Sequence, residues 1–551
     1  MEDFVVLYIV LCAAILIAVS IILHIRKTNK IRNDLINSFG QPPKNTDYDL
    51  DSIELYRFYK KINSDNSKHI DDITWNDLDM DLIFKRINVC LTSVGEEYLY
   101  SSLYEPQFDK TRLLLREEFI SLVKNQPDER LKIQKILFNL GKSPHNGIPN
   151  LIFNPEEKLL KFRIAYSIFS IIPLFCVPVI LINAAIGAVF LLAALLINTA
   201  IYFKTARKIE NSLSTIKYFS SLIWCCGNLL KAQSLQSNAY IMQLARFYKI
   251  FKPLMKTSSV ITQKFLDDSS MLGVLGIIYN YLKIFILSDI RNYNKFITGI
   301  NKNKEQFHDL YRTIGEIDLS VCVLSFRESL PFYSIPVFNS ENTIKFEKIY
   351  HPLLSSPTTN DGMIKKNSII TGSNASGKST FIKALAINSI LAQTIFTCAA
   401  ESFSLKHSLI MTSMAVRDNI SSGESYYIAE IKSLKRIIDK IDIVHCFCFI
   451  DEILRGTNTV ERIAASAAVL NYLNDKSCLC VVASHDIELA RMLQDKLDNY
   501  HFREQIVDDE IIFDYKIKPG ISTTRNAIKL LRYMNFNSLI IENAEKLVES
   551  K

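Results

Sequence analysis

Glycine and proline are scarce in this chain, 16 and 15 of 551 residues, and tryptophan occurs twice. So few turn formers exclude a turn-rich β architecture and leave long regular elements, mostly helices. No low-complexity tract and no internal repeat is present. A strong charge of one sign is also missing. The 64 basic residues face 57 acidic ones, a net charge of +7, and so small an excess selects neither nucleic acid nor an anionic membrane face. The 11 cysteines form no disulfide framework, because a chain this long has core enough without staples. Cys446-x-Cys448 and Cys478-x-Cys480 have the look of metal-ligand dipeptides. Each lies in an apolar run, Val444 to Ile450 and Cys478 to Ala483, that reads as a buried parallel strand. Zinc ligands sit on turns and knuckles instead. At 551 residues one compact core does not suffice, and three or four structural units are expected.

Long apolar runs, in contrast, are plentiful. Phe4 to Ile25 contains no Asp, Glu, Lys or Arg, and its 22 residues are enough to cross a hydrocarbon core of about 30 Å. A cleaved signal peptide fits poorly, since Glu2 and Asp3 precede the run and no small-residue cleavage site follows it. The basic cluster Arg26, Lys27, Lys30 and Arg32 after the span places that end in the cytoplasm. A second uncharged run, Ile164 to Phe203, has 40 residues, about twice one crossing. Asn183 near its middle marks the turn of a helical hairpin. Lys158, Lys161 and Arg163 lie before it, and Lys204, Arg207 and Lys208 after it, so both ends face the cytoplasm. Pro173 and Pro178 kink the first limb, which bilayer helices tolerate. The alternative is a buried pair of core helices, but uncharged runs this long are rare in soluble proteins. The sequence predicts three spans, an integral protein of the cell or inner membrane with its N-terminus outside.

Residues 26–163 read as a polar, mostly helical cytoplasmic segment, with Gln41-Pro42-Pro43-Lys44 as a linker. Asp71 to Asp81 reads as the start of a helix, its carboxylates serving as caps and solvated faces rather than metal ligands. Residues 204–332 continue with helical periodicity, for example Ile209, Leu213, Ile216 and Phe219 on one stripe. From Tyr333 the texture changes to short apolar runs divided by turns and alternating with helices. That pattern predicts an α/β unit over 333–540 with a mainly parallel sheet, followed by a tail at 541–551.

Gly372-Ser373-Asn374-Ala375-Ser376-Gly377-Lys378-Ser379-Thr380 matches G-x-x-x-x-G-K-[ST]. Ser368 to Thr371 reads as a strand and Ser379 to Leu391 as a helix, the order a phosphate loop needs. Its glycines turn backbone N–H groups toward phosphates, and the helix N-terminus adds partial positive charge. Lys378 reaches the β and γ phosphates in this reading, and the Ser379 hydroxyl ligates magnesium. Further on, Cys446 to Glu452 is an apolar strand ending in two acids. Asp451 fits a magnesium ligand, and Glu452 a base that orients the attacking water. A third strand, Cys478 to Ala483, delivers Ser484-His485-Asp486 at the sheet edge where such folds bind ligands, which makes His485 a candidate sensor of the terminal phosphate.

These three motifs, with the residues between them, resemble the ATPase domain of the MutS family. The loop continues as Thr380-Phe381-Ile382, similar to that family's extension into the helix, and Arg455-Gly456-Thr457-Asn458-Thr459 looks like its R-G-T-x-T loop. Ser422-Gly423-Glu424-Ser425, followed by Glu430, resembles the S-G-x-S segment and its glutamate. The resemblance implies that Ser425 acts in trans, reaching across a homodimer toward the other subunit's γ-phosphate. Glu316-Ile317-Asp318, Tyr333 to Phe338 and His351-Pro352 follow the order in which the family passes from lever helices into the ATPase. Leu91 to Pro106 looks like the start of its core and lever region. The likeness covers roughly residues 70–540, interrupted by the hairpin. Before residue 70 there is no room for the family's mismatch-reading domain and connector. The Phe-x-Glu runs at Phe326 and Phe502 lie beyond the lever start and are chance matches. Ser373 and Ala375-Ser376 replace the usual Pro and Met-Gly of the loop at free positions. No base-stacking aromatic is evident around Pro357 to Asn360.

The expected fold is thus an α/β P-loop NTPase domain of the MutS type, plus all-α core and lever helices and transmembrane helices. The expected function is a membrane-anchored, Mg2+-dependent ATPase whose cytoplasmic engine closes as a homodimer over ATP and drives DNA binding through phosphate contacts. An alternative of another class is a membrane scaffold or remodelling ATPase that binds no nucleic acid. An ABC-type transporter is disfavoured, since three spans leave little for a substrate path and no L-S-G-G-Q run is present.

Overall fold

The computed structural model describes residues 2–44, 47–63, 68–143, 147–155, 159–160, 162–232, 236–261, 281–282, 284–373, 376–414, 426–455, 457–507, 510–522, 534 and 536–549. Helix α1, Glu2–Ser38, runs unbroken from the uncharged stretch through the basic cluster. No proline or glycine interrupts it, and Gly40 at φ +73° turns the chain just beyond its end. A helical body follows: α2 (Leu50–Asn63), α3 (Asp72–Asp77), α4 (Met80–Ile87), α5 (Ser93–Leu103), α6 (Thr111–Asn125), α7 (Pro127–Leu140) and α8 (Ile148–Phe153). After the apolar hairpin it is completed by α11 (Ala239–Ile261), α12 (Ser288–Lys302) and α13 (Lys304–Glu328).

The hairpin is α9, Arg163–Ile182, and α10, Ala184–Leu229. Asn183 ends the first helix and caps the second, its side chain accepting from Ile186 N at 3.1 Å. Ile164–Ile182 and Ala184–Thr205 are long and apolar enough to cross a membrane by length and composition, and 17% of an apolar 18-residue stretch in each is buried. Helix α10 carries no proline and is 46 residues long; past the uncharged run it continues into the helical body, where Phe219, Leu222, Ile223 and Leu229 are buried.

Helices α5 and α13 form the centre of that body. All of α5 is buried, and α13 is buried from Phe307 onward on most faces. Small residues allow the close crossing: a Cβ on Gly95 would lie 2.2 Å from Asp318 Oδ2, and one on Gly315 2.7 Å from the Tyr98 ring. Polar groups in this core are matched. Asp318 accepts from Leu91 N, Thr92 N and Thr92 Oγ1 at 3.2, 2.9 and 2.6 Å.

Among the described residues the α/β unit holds two larger sheets and a two-stranded one. Strands β1 (Val337–Asn339), β2 (Ile344–Ile349), β3 (Asn360–Ile364) and β5 (Ser402–Lys406) form a four-stranded sheet in the order β1-β5-β2-β3. The main sheet has six strands in the order β12-β9-β4-β8-β7-β6: Lys518–Pro519, Asp498–His501, Ser368–Thr371, Cys478–Ser484, Cys446–Asp451 and Leu409–Ser413. All are parallel except the short edge strand β12. Strands β10 (Glu504–Val507) and β11 (Glu510–Phe513) pair as a separate hairpin. Helices α14 (Lys378–Thr394), α15 (Tyr426–Ile441), α16 (Thr459–Asn474) and α17 (Ile487–Met492) accompany the main sheet, and α18 (Ser538–Glu549) closes the described chain. Strands β4, β7 and β8 are buried at every residue, which is why they read as unbroken apolar runs. Cys446 lies opposite Cys478 and Cys448 opposite Cys480, all within the strands. Burial pushes the Cys446 thiol up to about 12.

Candidate functional site

The glycine-rich loop leaves β4 and enters α14, as its sequence context requires. Thr371 anchors its start: its carbonyl accepts from Phe502 N at 2.9 Å and its hydroxyl from Ser522 N at 3.1 Å. Gly372 and Gly377 have φ of +145° and +98°. A Cβ at Gly372 would lie 2.7 Å from the Phe502 carbonyl oxygen, and one at Gly377 2.9 Å from the Tyr515 ring. Both positions therefore require glycine on conformational and steric grounds. Ser376 closes the turn, its N and Oγ donating to Ser373 O at 3.2 and 2.7 Å. Lys378 opens α14 and is 2% exposed. Its Nζ donates to the carbonyls of Gly372 and Ser373 at 2.6 and 2.7 Å, so the ammonium is drawn back under the loop. Ser379 is half-buried and Thr380 exposed on the first turn. Asn374 and Ala375 lie outside the described residues, as does Ser425.

The acidic pair sits on the same edge. Asp451 pairs with Ala483 across β7 and β8, and Thr371 with Ser484 across β4 and β8. The loop start and Asp451 are thus two strand spacings apart, about 10 Å between backbones. Asp451 is 8% exposed. Glu452, just past the strand, has φ +61° and donates its N–H to Ala483 O at 3.0 Å. Its carboxylate takes His485 Nε2 on Oε1 at 2.7 Å and Arg455 Nε on Oε2. Burial raises the Glu452 carboxyl, but the His485 hydrogen bond and the charges of His485 and Arg455 outweigh it and hold the group below its ordinary range. A non-glycine residue in the left-handed region, gripped on both oxygens, is a strained and pre-organised group. His485, read from sequence as a phosphate sensor, is in the structure the hydrogen-bonding partner of Glu452.

A cavity of about 390 Å³ borders Gly377 and Thr380 and is lined by His351, Phe381, Phe502 and Tyr515 among others. Tyr515, downstream of the loop and at φ +50°, brings a ring to this cavity. Asn360 holds that turn: its Nδ2 donates to Tyr515 O at 3.0 Å and its Oδ1 accepts from Ile517 N at 2.8 Å. Burial and the nearby Lys383 charge push His351 down to about 4, so its imidazole is neutral. The single sequence signal was an aromatic pair, Phe513 and Tyr515, flanking Asp514.

Comparisons with known proteins bear on part of the chain. Residues 368–550 match the model of MutS domain V. The DNA mismatch repair protein MutS of Petrotoga mobilis is 29% identical over 270 residues, 46% of this chain and 33% of that protein. MutS protein homolog 4 of Homo sapiens is 30% identical over 241 residues, 40% of this chain and 25% of its own length. The MutS of Bacillus velezensis is 28% identical over 254 residues, 44% of this chain and 29% of that protein. The chain spans a quarter to a third of the length of these curated relatives.

Proposed function

We propose, from the premise that this chain belongs to the MutS family through its domain V, that it is an ATPase whose nucleotide state drives closure of a homodimer and DNA binding. The observation that carries this reading is the shared edge of the sheet: a buried Lys378 beneath a glycine-rich loop, with Asp451 and Glu452 two strands away. Backbone N–H groups of Gly372 to Thr380 and the start of α14 hold phosphates, and Lys378 exchanges its loop carbonyls for phosphoryl oxygens. The Ser379 hydroxyl and the Asp451 carboxylate are the hard oxygen donors that Mg2+ takes, so the donor set fits that ion. Mg2+ when bound supplies charge neutralisation at the phosphates. Glu452, ionised and oriented by His485 and Arg455, accepts the proton of the attacking water. The aromatic cavity beside Gly377 receives the base. Ser425 acts in trans, which makes the dimer the hydrolysing unit.

The apolar helices support a membrane anchor on the same reading, with α1 and the α9–α10 hairpin in the bilayer and the engine in the cytoplasm. The direct continuation of α10 from hairpin to helical body favours a second reading, an ATP-driven membrane scaffold that binds no nucleic acid. Two measurements on the full-length protein test these. Glu452→Gln binds ATP and hydrolyses it about 10²- to 10⁴-fold more slowly; hydrolysis at the parental rate removes Glu452 from its role. DNA binding measured with and without ATP over a salt series falls steeply with salt if DNA is the ligand. No binding at low salt leaves the scaffold reading.

A further inference from the structure

Helix α2 carries Arg57, Lys60 and Lys61 at the i, i+3 and i+4 spacing that sets side chains on one face. Helix α15 carries Arg436 and Lys440, four residues apart, on one face of its own. The fold brings these two cationic faces, one from the helical body and one from the α/β unit, to a single cavity of about 280 Å³, which His69 also lines. Like charges across so small a space repel, and the carboxylates present offset only part of this. Two of them, Asp71 and Glu105, line the cavity against five arginine and lysine side chains. Glu105 accepts from Lys60 Nζ at 2.7 and 2.6 Å, and Asp71 accepts from Arg436 Nη1. Outside the lining, Asp72 pairs with Arg57 and Lys61, and Glu54 with Arg57.

Among the described residues Lys440 makes no ion pair, and Arg436 Nε is buried without a hydrogen-bond partner. Burial pushes the Lys60 ammonium below its ordinary range; Glu105 opposes this, and the charges of Arg112 and Arg312 deepen it. The cations are also held in place. The Arg57 guanidinium lies 3.4 Å from the Tyr104 ring centroid. Arg436 donates Nη2 to the Thr412 carbonyl, and Thr412 Oγ1 donates to Asp77 Oδ2 at 2.7 Å. Positive groups fixed against one another before any ligand arrives are a preorganised receptor for negative charge.

We propose that this cavity binds a small phosphate-bearing anion, of the size and charge of pyrophosphate. A guanidinium N–H and an ammonium suit an oxygen-rich polyanion better than a carboxylate, since a phosphate group adds a third acceptor oxygen and a second charge. The volume lies at the low end for ligand pockets, which run from about 300 to 1,000 Å³, and so suits a small ligand. The site shares no residue with the glycine-rich loop, and it stands whether or not the chain hydrolyses ATP.

The test is calorimetric titration of pyrophosphate into the full-length protein in detergent, at low and high salt, in a Lys378→Ala background that removes the loop's own lysine. Lys440→Gln is expected to weaken binding about 10-fold, the loss of one charge-assisted hydrogen bond, and Lys440→Arg to keep it within about threefold. Lys435→Gln is the control. Lys435 lies on the same helix outside the cavity, paired with Asp439 and with 72% of its side chain exposed, and its loss is expected to change affinity less than about twofold. No binding at low salt, undiminished affinity in Lys440→Gln, or an equal loss in Lys435→Gln overturns the proposal. So does displacement of pyrophosphate by short duplex DNA that itself depends on Lys440, since the cavity then serves the phosphates of a polymer.

Discussion

Replacing Glu316 with glutamine tests how the helical body is held to the α/β unit. Glu316 is 3% exposed and Arg116 1%. The carboxylate takes Arg116 Nε at 2.9 Å, Arg112 Nε at 2.7 Å and the Tyr98 hydroxyl at 2.7 Å. Arg116 also donates Nη1 to the Thr394 carbonyl at 2.6 Å, at the C-terminal end of α14, the helix that follows the glycine-rich loop. Burial raises the Glu316 carboxyl, and the two arginines more than reverse this, holding it below its usual range. Glutamine keeps the volume and one acceptor but removes the charge. Arg112, with 27% of its side chain exposed, can turn to water. Arg116 cannot, and an uncompensated buried charge costs about 3–5 kcal/mol. With a urea dependence of about 2–3 kcal/mol per molar, the midpoint of the transition containing this body falls by about 1–2 M. Trp75, buried against Tyr104, gives the fluorescence signal. Adding Arg116→Met to Glu316→Gln removes the orphan charge and recovers most of the loss. A midpoint shift below about 0.3 M for Glu316→Gln, or a double variant weaker than the sum of the singles, refutes this account of the contact.

Two further outcomes follow from groups already described. The Asp318 carboxyl is raised to about 6 by burial, against the 3.8 of an ordinary aspartate. The folded state therefore holds the proton where the unfolded chain has released it, and stability falls as pH rises from about 4 to 6, by about 3 kcal/mol, then levels. Asp318→Asn flattens that profile in denaturant titrations, and parallel profiles contradict the assignment. For the apolar helices, the full chain is expected to stay with membranes through alkaline carbonate washing, and a variant lacking residues 1–25 and 164–203 to be released; extraction of the intact chain goes against the anchor.

What the sequence revealed and what it hid divide along chain separation. Strand β4 was read at its observed bounds, and the loop with the start of α14 within a residue, because these are local: a run of apolar residues, a glycine at each strained φ, a helix former after. Asp451 at the end of β7 was legible for the same reason. The hairpin turn at Asn183 was readable as a polar break in an uncharged run. The partners of Glu452 were not, since nothing local says that His485, just past another strand, folds onto it. Tyr515 was hidden because its ring reaches the cavity beside Gly377 only through the fold of β10 and β11, which no local pattern marks. The grip of Asp77 on Thr412, 335 residues away, left no pattern at all beyond an acidic stretch that read as helix caps.

Helix α10 is one element of 46 residues, with Asn183 at one end and Leu229 at the other. At 1.5 Å per residue it is a rod about 70 Å long. A rod without proline transmits tilt instead of absorbing it. A pivot of about 5° near Leu229 swings the far tip by about 6 Å, more than a helical turn of travel. Angstrom-scale movement where Phe219 and Leu222 pack thus becomes side-chain-scale movement at Asn183, with mechanical gain set by length alone.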